Sequence, residues 1–228
     1  MLFFIDTANL DEIREAHDMG ILDGVTTNPS LMLKEGVGGT SQVKEHYAKI
    51  CEIVSGDVSA EVTALDTETM LKQGREFAEI ANNIVVKIPM TLDGVKAIAQ
   101  LTKEGIKTNC TLVFSAGQAL MCAKAGATYV SPFIGRVDDI GWDGVGLIEE
   151  INELYGEQAL ATSILAASIR SPKHITDAAL AGADVVTTPL APLKALLNHP
   201  LTDKGLDKFM ADFKKSEEAA KQMMASAN

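Results

Sequence analysis

Cysteine is scarce in this 228-residue sequence: Cys51, Cys110 and Cys122 are the three present. An odd number rules out complete pairing, and no two of them show the spacing of a metal motif, so reduced, structural thiols are expected. Basic charge is also short. Lys and Arg total 20 against 31 Asp and Glu, a formal net charge of −11. That balance argues against nucleic acid and anionic membrane surfaces as partners. It leaves a phosphate ligand open, because a few local Arg side chains and backbone N–H groups suffice to hold one. Long apolar runs are missing. Met1–Leu2–Phe3–Phe4–Ile5 stops at Asp6 and carries no basic stretch, so it is not read as a signal peptide, and Cys110–Ala123 is too short to span a bilayer. A cytoplasmic protein is expected. No GxGxxG follows the first strand and no P-loop occurs, so neither a dinucleotide nor a Walker-type nucleotide site is read, and no cofactor is expected. His17, His46, His174 and His199 fall on helices or loops away from strand ends, and no metal site is evident.

What the chain does have is alternation. Short apolar, β-branched runs read as strands at Leu2–Ile5, Gly24–Thr27, Val58–Val62, Ile84–Ile88, Lys107–Val113, Tyr129–Phe133, Leu160–Ala167 and Asp184–Thr188. Between them, helical periodicity covers Leu10–Met19, Val43–Val54, Thr67–Ala81, Leu92–Glu104, Ser115–Gly126, Gly146–Tyr155, Pro172–Ala181 and Leu190–Leu197. Gly20, Gly105, Gly126 and Gly182 sit where a glycine ends a helix. Eight strands alternating with helices in one chain predict a single α/β domain over residues 1–228, a (β/α)8 TIM barrel, with an extra charged C-terminal helix at about 203–226. A doubly wound open sheet is the rival. The glycines at 36, 38 and 39 read as a surface loop.

In a (β/α)8 barrel, chemistry sits at the carboxyl ends of the strands. Polar residues stand there in almost every strand: Asp6; Thr26–Thr27–Asn28; Glu61; Lys87; Asn109 and Thr111; Ser131, then Phe133 and Arg136; Ser168 and Arg170; Thr187–Thr188. Two-residue spacing puts Asn109 with Thr111, Ser131 with Phe133, and Ser168 with Arg170 on shared faces. Lys87 lies among apolar neighbours in Ile84–Val85–Val86–Lys87–Ile88–Pro89. An amine is a nucleophile only when neutral, and burial disfavours the ammonium form. Taken alone, Lys87 reads first as a lysine that snorkels from a strand end to solvent. Lys107 lies at the amino end of its strand, where catalysis is not expected. Asp6 and Glu61 could divide acid–base work or serve as hydrogen-bonded partners. Arg136 and Arg170, with Ser168, could clamp a phosphate or form surface ion pairs.

Asp6, Val25–Thr26–Thr27–Asn28–Pro29–Ser30, Ser59–Ala60–Glu61–Val62, Val86–Lys87–Ile88–Pro89 and Ala167–Ser168–Ile169–Arg170 together resemble the transaldolase family, in its short subfamily, over nearly the whole chain. The resemblance implies that Lys87 forms a Schiff base with a ketose carbonyl and that Asp6 is the acid/base at the neighbouring hydroxyl. It implies that Glu61 shuttles protons through a water held by Thr111, and that Asn28 and Asn109 bind hydroxyls of the dihydroxyacetone part. Arg136, Ser168 and Arg170 would hold phosphate, with Ser131 and Phe133 lining the pocket. Sugar-phosphate substrates follow: transfer of a dihydroxyacetone unit from sedoheptulose 7-phosphate or fructose 6-phosphate to an aldose phosphate, as in the pentose phosphate pathway. Fructose-6-phosphate aldolase, which releases free dihydroxyacetone, is the close alternative. There the pocket aromatic is typically Tyr and the carboxylate is Gln; Phe133 and Glu61 favour transfer. A homo-oligomer, pentamer or decamer, is also implied, with the last helix packing on a neighbour. A phosphate-binding barrel without catalysis is a reading from a different class.

Overall fold

The computed structural model describes residues 1–226. Eight parallel strands close into a barrel in sequence order: β1 (Leu2–Asp6), β2 (Gly24–Thr26), β3 (Asp57–Glu61), β4 (Ile84–Pro89), β5 (Thr108–Val113), β6 (Tyr129–Pro132), β7 (Ser163–Ala166) and β8 (Val185–Thr188), with β8 pairing back to β1. Helices follow the strands: α1 (Leu10–Asp18), α2 (Pro29–Lys34), α3 (Thr40–Ile53), α4 (Thr67–Ala78), α5 (Leu92–Lys103), α6 (Ala116–Lys124), α7 (Ile134–Asp139), α8 (Gly144–Glu157), α9 (Pro172–Leu180), α10 (Leu190–Ala195) and α11 (Pro200–Ser226). The (β/α)8 barrel expected from the alternation is present, with its additional C-terminal helix.

The chain divides into two compact units, Met1–Leu193 and the segment from Lys194 onward. In the first, strand alternation sorts side chains into two populations. Outward residues such as Ile5, Val25, Val58, Val86, Ile88, Val130, Ile164 and Val186 join one large apolar cluster with the helices. Inward, at the amino end, Phe4, Leu165 and Val185 form a separate small cluster against Tyr129. Gly24 makes room there, since a Cβ would come within 2.5 Å of the Phe4 ring. Lys107 and Tyr129 both bind Asp57, at 2.9 and 2.8 Å. Above this plug the inward positions turn polar: Thr26, Ser59, Lys87, Asn109, Thr111, Ser131 and Thr187 are all buried. In the second unit, no described residue of α11 is buried.

Several boundaries differ from expectation. Residues 160–162 lie outside β7: Ala159 takes φ 50° and the Leu160 N–H returns to the Tyr155 carbonyl at 2.9 Å, closing the end of α8. The strand expected at Leu160–Ala167 therefore contracts to Ser163–Ala166. Two short helices, α2 and α7, escape periodicity because six residues give too few repeats to read. Phe133 leaves the strand to cap α7, keeping one isolated bridge to Ala167. The four glycines read as helix stops all adopt positive φ, from 73° to 95°.

Candidate active site

Parallel pairing places Glu61 beside Lys87, Lys87 beside Asn109, and Asp6 beside Thr26. The side chains therefore converge on the barrel axis at its carboxyl end. Asp6, Thr26, Glu61 and Lys87 line a cavity of about 480 Å³ with Asn28, Lys34, Thr111, Leu112, Ser131, Phe133, Arg136, Ser168 and Thr187. That size suits a small polar metabolite.

Lys87 is only 6% exposed, the one charged side chain among the described residues that is buried. Its Nζ donates to the Thr27 carbonyl at 2.9 Å and lies 3.0 Å from Glu61 Oε2. Lys107, by contrast, pairs with Asp57 with half of its side chain exposed. A buried ammonium is tolerable only with such partners, and they also fix where the amine points. Asp6 is held from the side: the Thr26 hydroxyl donates to its Oδ1 at 2.7 Å, and Thr187 Oγ1 lies 2.6 Å from that hydroxyl. Thr111 Oγ1 is buried with no hydrogen-bond partner among the described residues. A lone buried hydroxyl facing a cavity asks for a polar ligand or water.

Asn28 has two tasks. It caps α2, its Oδ1 accepting from Leu31 N at 3.0 Å, which leaves the amide NH2 for the cavity. Asn109 is not at the surface of the cavity. It lies fully buried beneath it, donating to Ser59 Oγ at 3.2 Å and accepting from Ser131 Oγ at 2.7 Å. Arg136 rests over the Phe133 ring, 4.9 Å from its centroid, and Phe133 packs against Phe114 at 5.6 Å. Ser168 reaches the cavity through a left-handed backbone, φ 60°, in a residue other than glycine, a strain that concentrates at functional positions. Leu112, also lining the cavity, has φ 61° where the β5–β6 register slips.

Arg170 is not brought to the cavity. The turn at Ser168 breaks the two-residue alternation that would have kept the pair on one face. Its guanidinium instead forks onto Asp139 of α7, with Nη2 at 2.5 Å from Oδ2, and this ion pair holds the Asp139 carboxyl below its ordinary range. Gly135 permits the approach: a Cβ there would lie 2.7 Å from Arg170 Nε.

Four residues were not singled out from the sequence. Thr26 and Thr187 are visible as strand-end polar residues, but their link to Asp6 depends on β1 lying between β2 and β8. Lys34 lines the cavity from the end of α2 and makes no ion pair among the described residues. The signal for α2 was present: Asn28–Pro29 is an N-cap followed by proline at the first helical position. Tyr47 sits in α3, where its apolar periodicity hides its hydroxyl.

Residues 3–227 match the family profile described as transaldolase/fructose-6-phosphate aldolase. The chain is 62% identical over 218 residues to a protein of Bacteroides fragilis named probable transaldolase, covering 96% of this chain and 100% of that one. It is 61% identical over 215 residues to a protein of the same name from Bacteroides thetaiotaomicron, covering 94% and 99% of the two. A relative of that name in Porphyromonas gingivalis is 58% identical over 218 residues, 96% and 99% of the two chains. Among solved structures, a thiamine phosphate pyrophosphorylase from Pyrococcus furiosus superposes with a TM-score of 0.58 at 14% identity, covering 82% of this chain and 83% of that one. That likeness is one of fold alone.

Proposed function

Because the chain belongs to the transaldolase/fructose-6-phosphate aldolase family, and so to aldolase-type enzymes, we propose that it transfers a dihydroxyacetone unit between sugar phosphates through a Schiff base on Lys87. One observation carries this reading: a single buried lysine, its amine between a carboxylate and a carbonyl, at the floor of a polar cavity that also holds Asp6.

The placement of these groups supports the following steps. The neutral Lys87 amine adds to the C2 carbonyl of a ketose phosphate. Glu61, 3.0 Å from Nζ, relays protons to and from the carbinolamine oxygen through a water held by Thr111, and loss of water leaves a protonated imine. Asp6, held by Thr26, takes the proton of the C4 hydroxyl. The C3–C4 bond breaks, its electrons pass into the imine to give an enamine, and an aldose phosphate leaves. An acceptor aldehyde then enters, the enamine carbon attacks it, and Asp6 returns its proton to the new hydroxyl. Hydrolysis of the imine frees the product and the amine.

The remaining groups bind. The Asn28 amide faces the hydroxyls of the bound unit. Asn109 acts from below, through Ser131, as a support rather than a direct contact. Arg136, Ser168 and Lys34 supply positive charge and a hydroxyl for the phosphate; Arg170 joins them by exchanging Asp139 for it. Phe133 presents no hydroxyl that could protonate the enamine, and this favours transfer over release. The pentose phosphate pathway is the metabolic setting that these substrates imply, and no cofactor is required by the steps.

Dependence on the acceptor tests the reading. The protein is mixed with fructose 6-phosphate, with and without erythrose 4-phosphate. Sedoheptulose 7-phosphate should form only with acceptor, and little free dihydroxyacetone should appear without it. Steady release of dihydroxyacetone in the absence of acceptor would assign the aldolase reaction instead. No product in either arm would leave a binding barrel.

A further inference from the structure

Tyr47 belongs to α3, outside the barrel, yet it is 1% exposed and its hydroxyl reaches the ends of β2 and β3. Its ring meets Phe77 of α4 edge-on, centroids 5.5 Å apart. The hydroxyl accepts the Glu61 backbone N–H at 3.2 Å and lies 2.7 Å from Thr27 Oγ1. Thr27 Oγ1 in turn donates to the Ser59 carbonyl at 3.1 Å. A carbonyl can only accept and a hydroxyl has one proton, so Tyr47 is the donor to Thr27. The order is fixed: Glu61 N–H to Tyr47, Tyr47 to Thr27, Thr27 to Ser59. Burial pushes the phenol up to about 12, so it keeps the proton that this order requires through neutral pH.

The two residues that Tyr47 joins are the two that hold Lys87 Nζ, Glu61 by its carboxylate and Thr27 by its carbonyl. We propose that Tyr47 is a positioning residue, which sets the Lys87 amine by locking Glu61 and Thr27 to one another from behind the barrel wall. It touches neither the cavity nor the reacting atoms, and its effect passes entirely through backbone placement. A reacting group displaced by about 1 Å loses up to about 10²-fold in rate, so one hydroxyl in this position has leverage. The inference rests on the Schiff-base reading of Lys87.

The test is Tyr47→Phe, which keeps the ring and its contact with Phe77 and removes only the hydroxyl. We expect kcat to fall about tenfold with KM for the ketose phosphate within about twofold, and borohydride trapping at Lys87 to slow in step. Thr27→Val removes the next hydroxyl in the order while keeping the carbonyl that receives Lys87, and is expected to slow trapping in the same way. The double variant should be no slower than the slower single one, because both break the same chain. A Tyr47→Phe protein with wild-type kcat and trapping rate and only a lower Tm would overturn the proposal, as would additive losses in the double variant. If Tyr47→Phe fails to fold by circular dichroism, wild-type trapping in Thr27→Val overturns it alone. Absence of any Lys87 adduct in the unsubstituted protein would overturn the functional reading, and this inference with it.

Discussion

At the scale of single residues, the site separates groups that touch the cavity from groups that hold them. Phe133 touches it, and the proposed function makes it the position at which transfer and release should diverge. Phe133→Tyr should increase free dihydroxyacetone relative to transferred product, because a phenol beside the enamine can donate a proton; an unchanged product ratio, read by coupled assay, would remove this residue from the account. The two cavity cations rank by setting. Both are exposed, but Arg136 is braced on the Phe133 ring, whereas Lys34 stands at a helix end without an ion pair among the described residues. Arg136→Ala should raise KM for a phosphorylated donor about tenfold or more and Lys34→Ala by a smaller factor, each leaving KM for an unphosphorylated ketose nearly unmoved. Equal effects on both kinds of substrate would show that neither cation reads phosphate. Lys87, Asp6 and Glu61 were legible in the sequence because strand-end polar residues are conspicuous in an apolar alternation. The Arg170–Asp139 fork was not, because a left-handed Ser168 between them turns the chain against the two-residue rule.

At the scale of elements, the long helices and all eight strands were legible from period and glycine stops, and the losses were confined to short elements. α2 matters most, since it carries Asn28 at its cap and Lys34 at its end; only its cap chemistry announces it. Neighbouring helices are also joined by charge. Arg75 of α4 forks onto Glu104 just beyond α5, at 2.8 and 2.7 Å, and this bond lowers the Glu104 carboxyl from 4.5 to about 2. A lowered carboxyl contributes stability above its unfolded value and loses it as pH falls through the folded one. Between about pH 5 and 2, wild type should therefore lose more thermal stability than Glu104→Gln, the gap between them closing toward the acid end. A gap that stays constant across that range would mean that the pair contributes nothing through ionisation. Exposure keeps the effect small.

At the scale of the molecule, the barrel and its apolar cores account for residues 1–193, and α11 is left with Leu206, Phe209, Met210 and Phe213 exposed on a helical spacing. Such a stripe fits association between copies of the chain, the assembly implied by the family resemblance. Leu206→Glu with Phe213→Glu should lower the mass measured by light scattering, while an unchanged mass would exclude α11 as the contact. No described helix is long and apolar enough to cross a membrane. The central claim concerns one bond, between Lys87 and a ketose. The most direct measurement is mass spectrometry of the chain incubated with fructose 6-phosphate and reduced with borohydride. The account predicts one added adduct, either the reduced hexose phosphate or the reduced dihydroxyacetone unit, mapped to the peptide containing Lys87 and absent from Lys87→Ala. No adduct, or an adduct on another lysine that persists in Lys87→Ala, would contradict it.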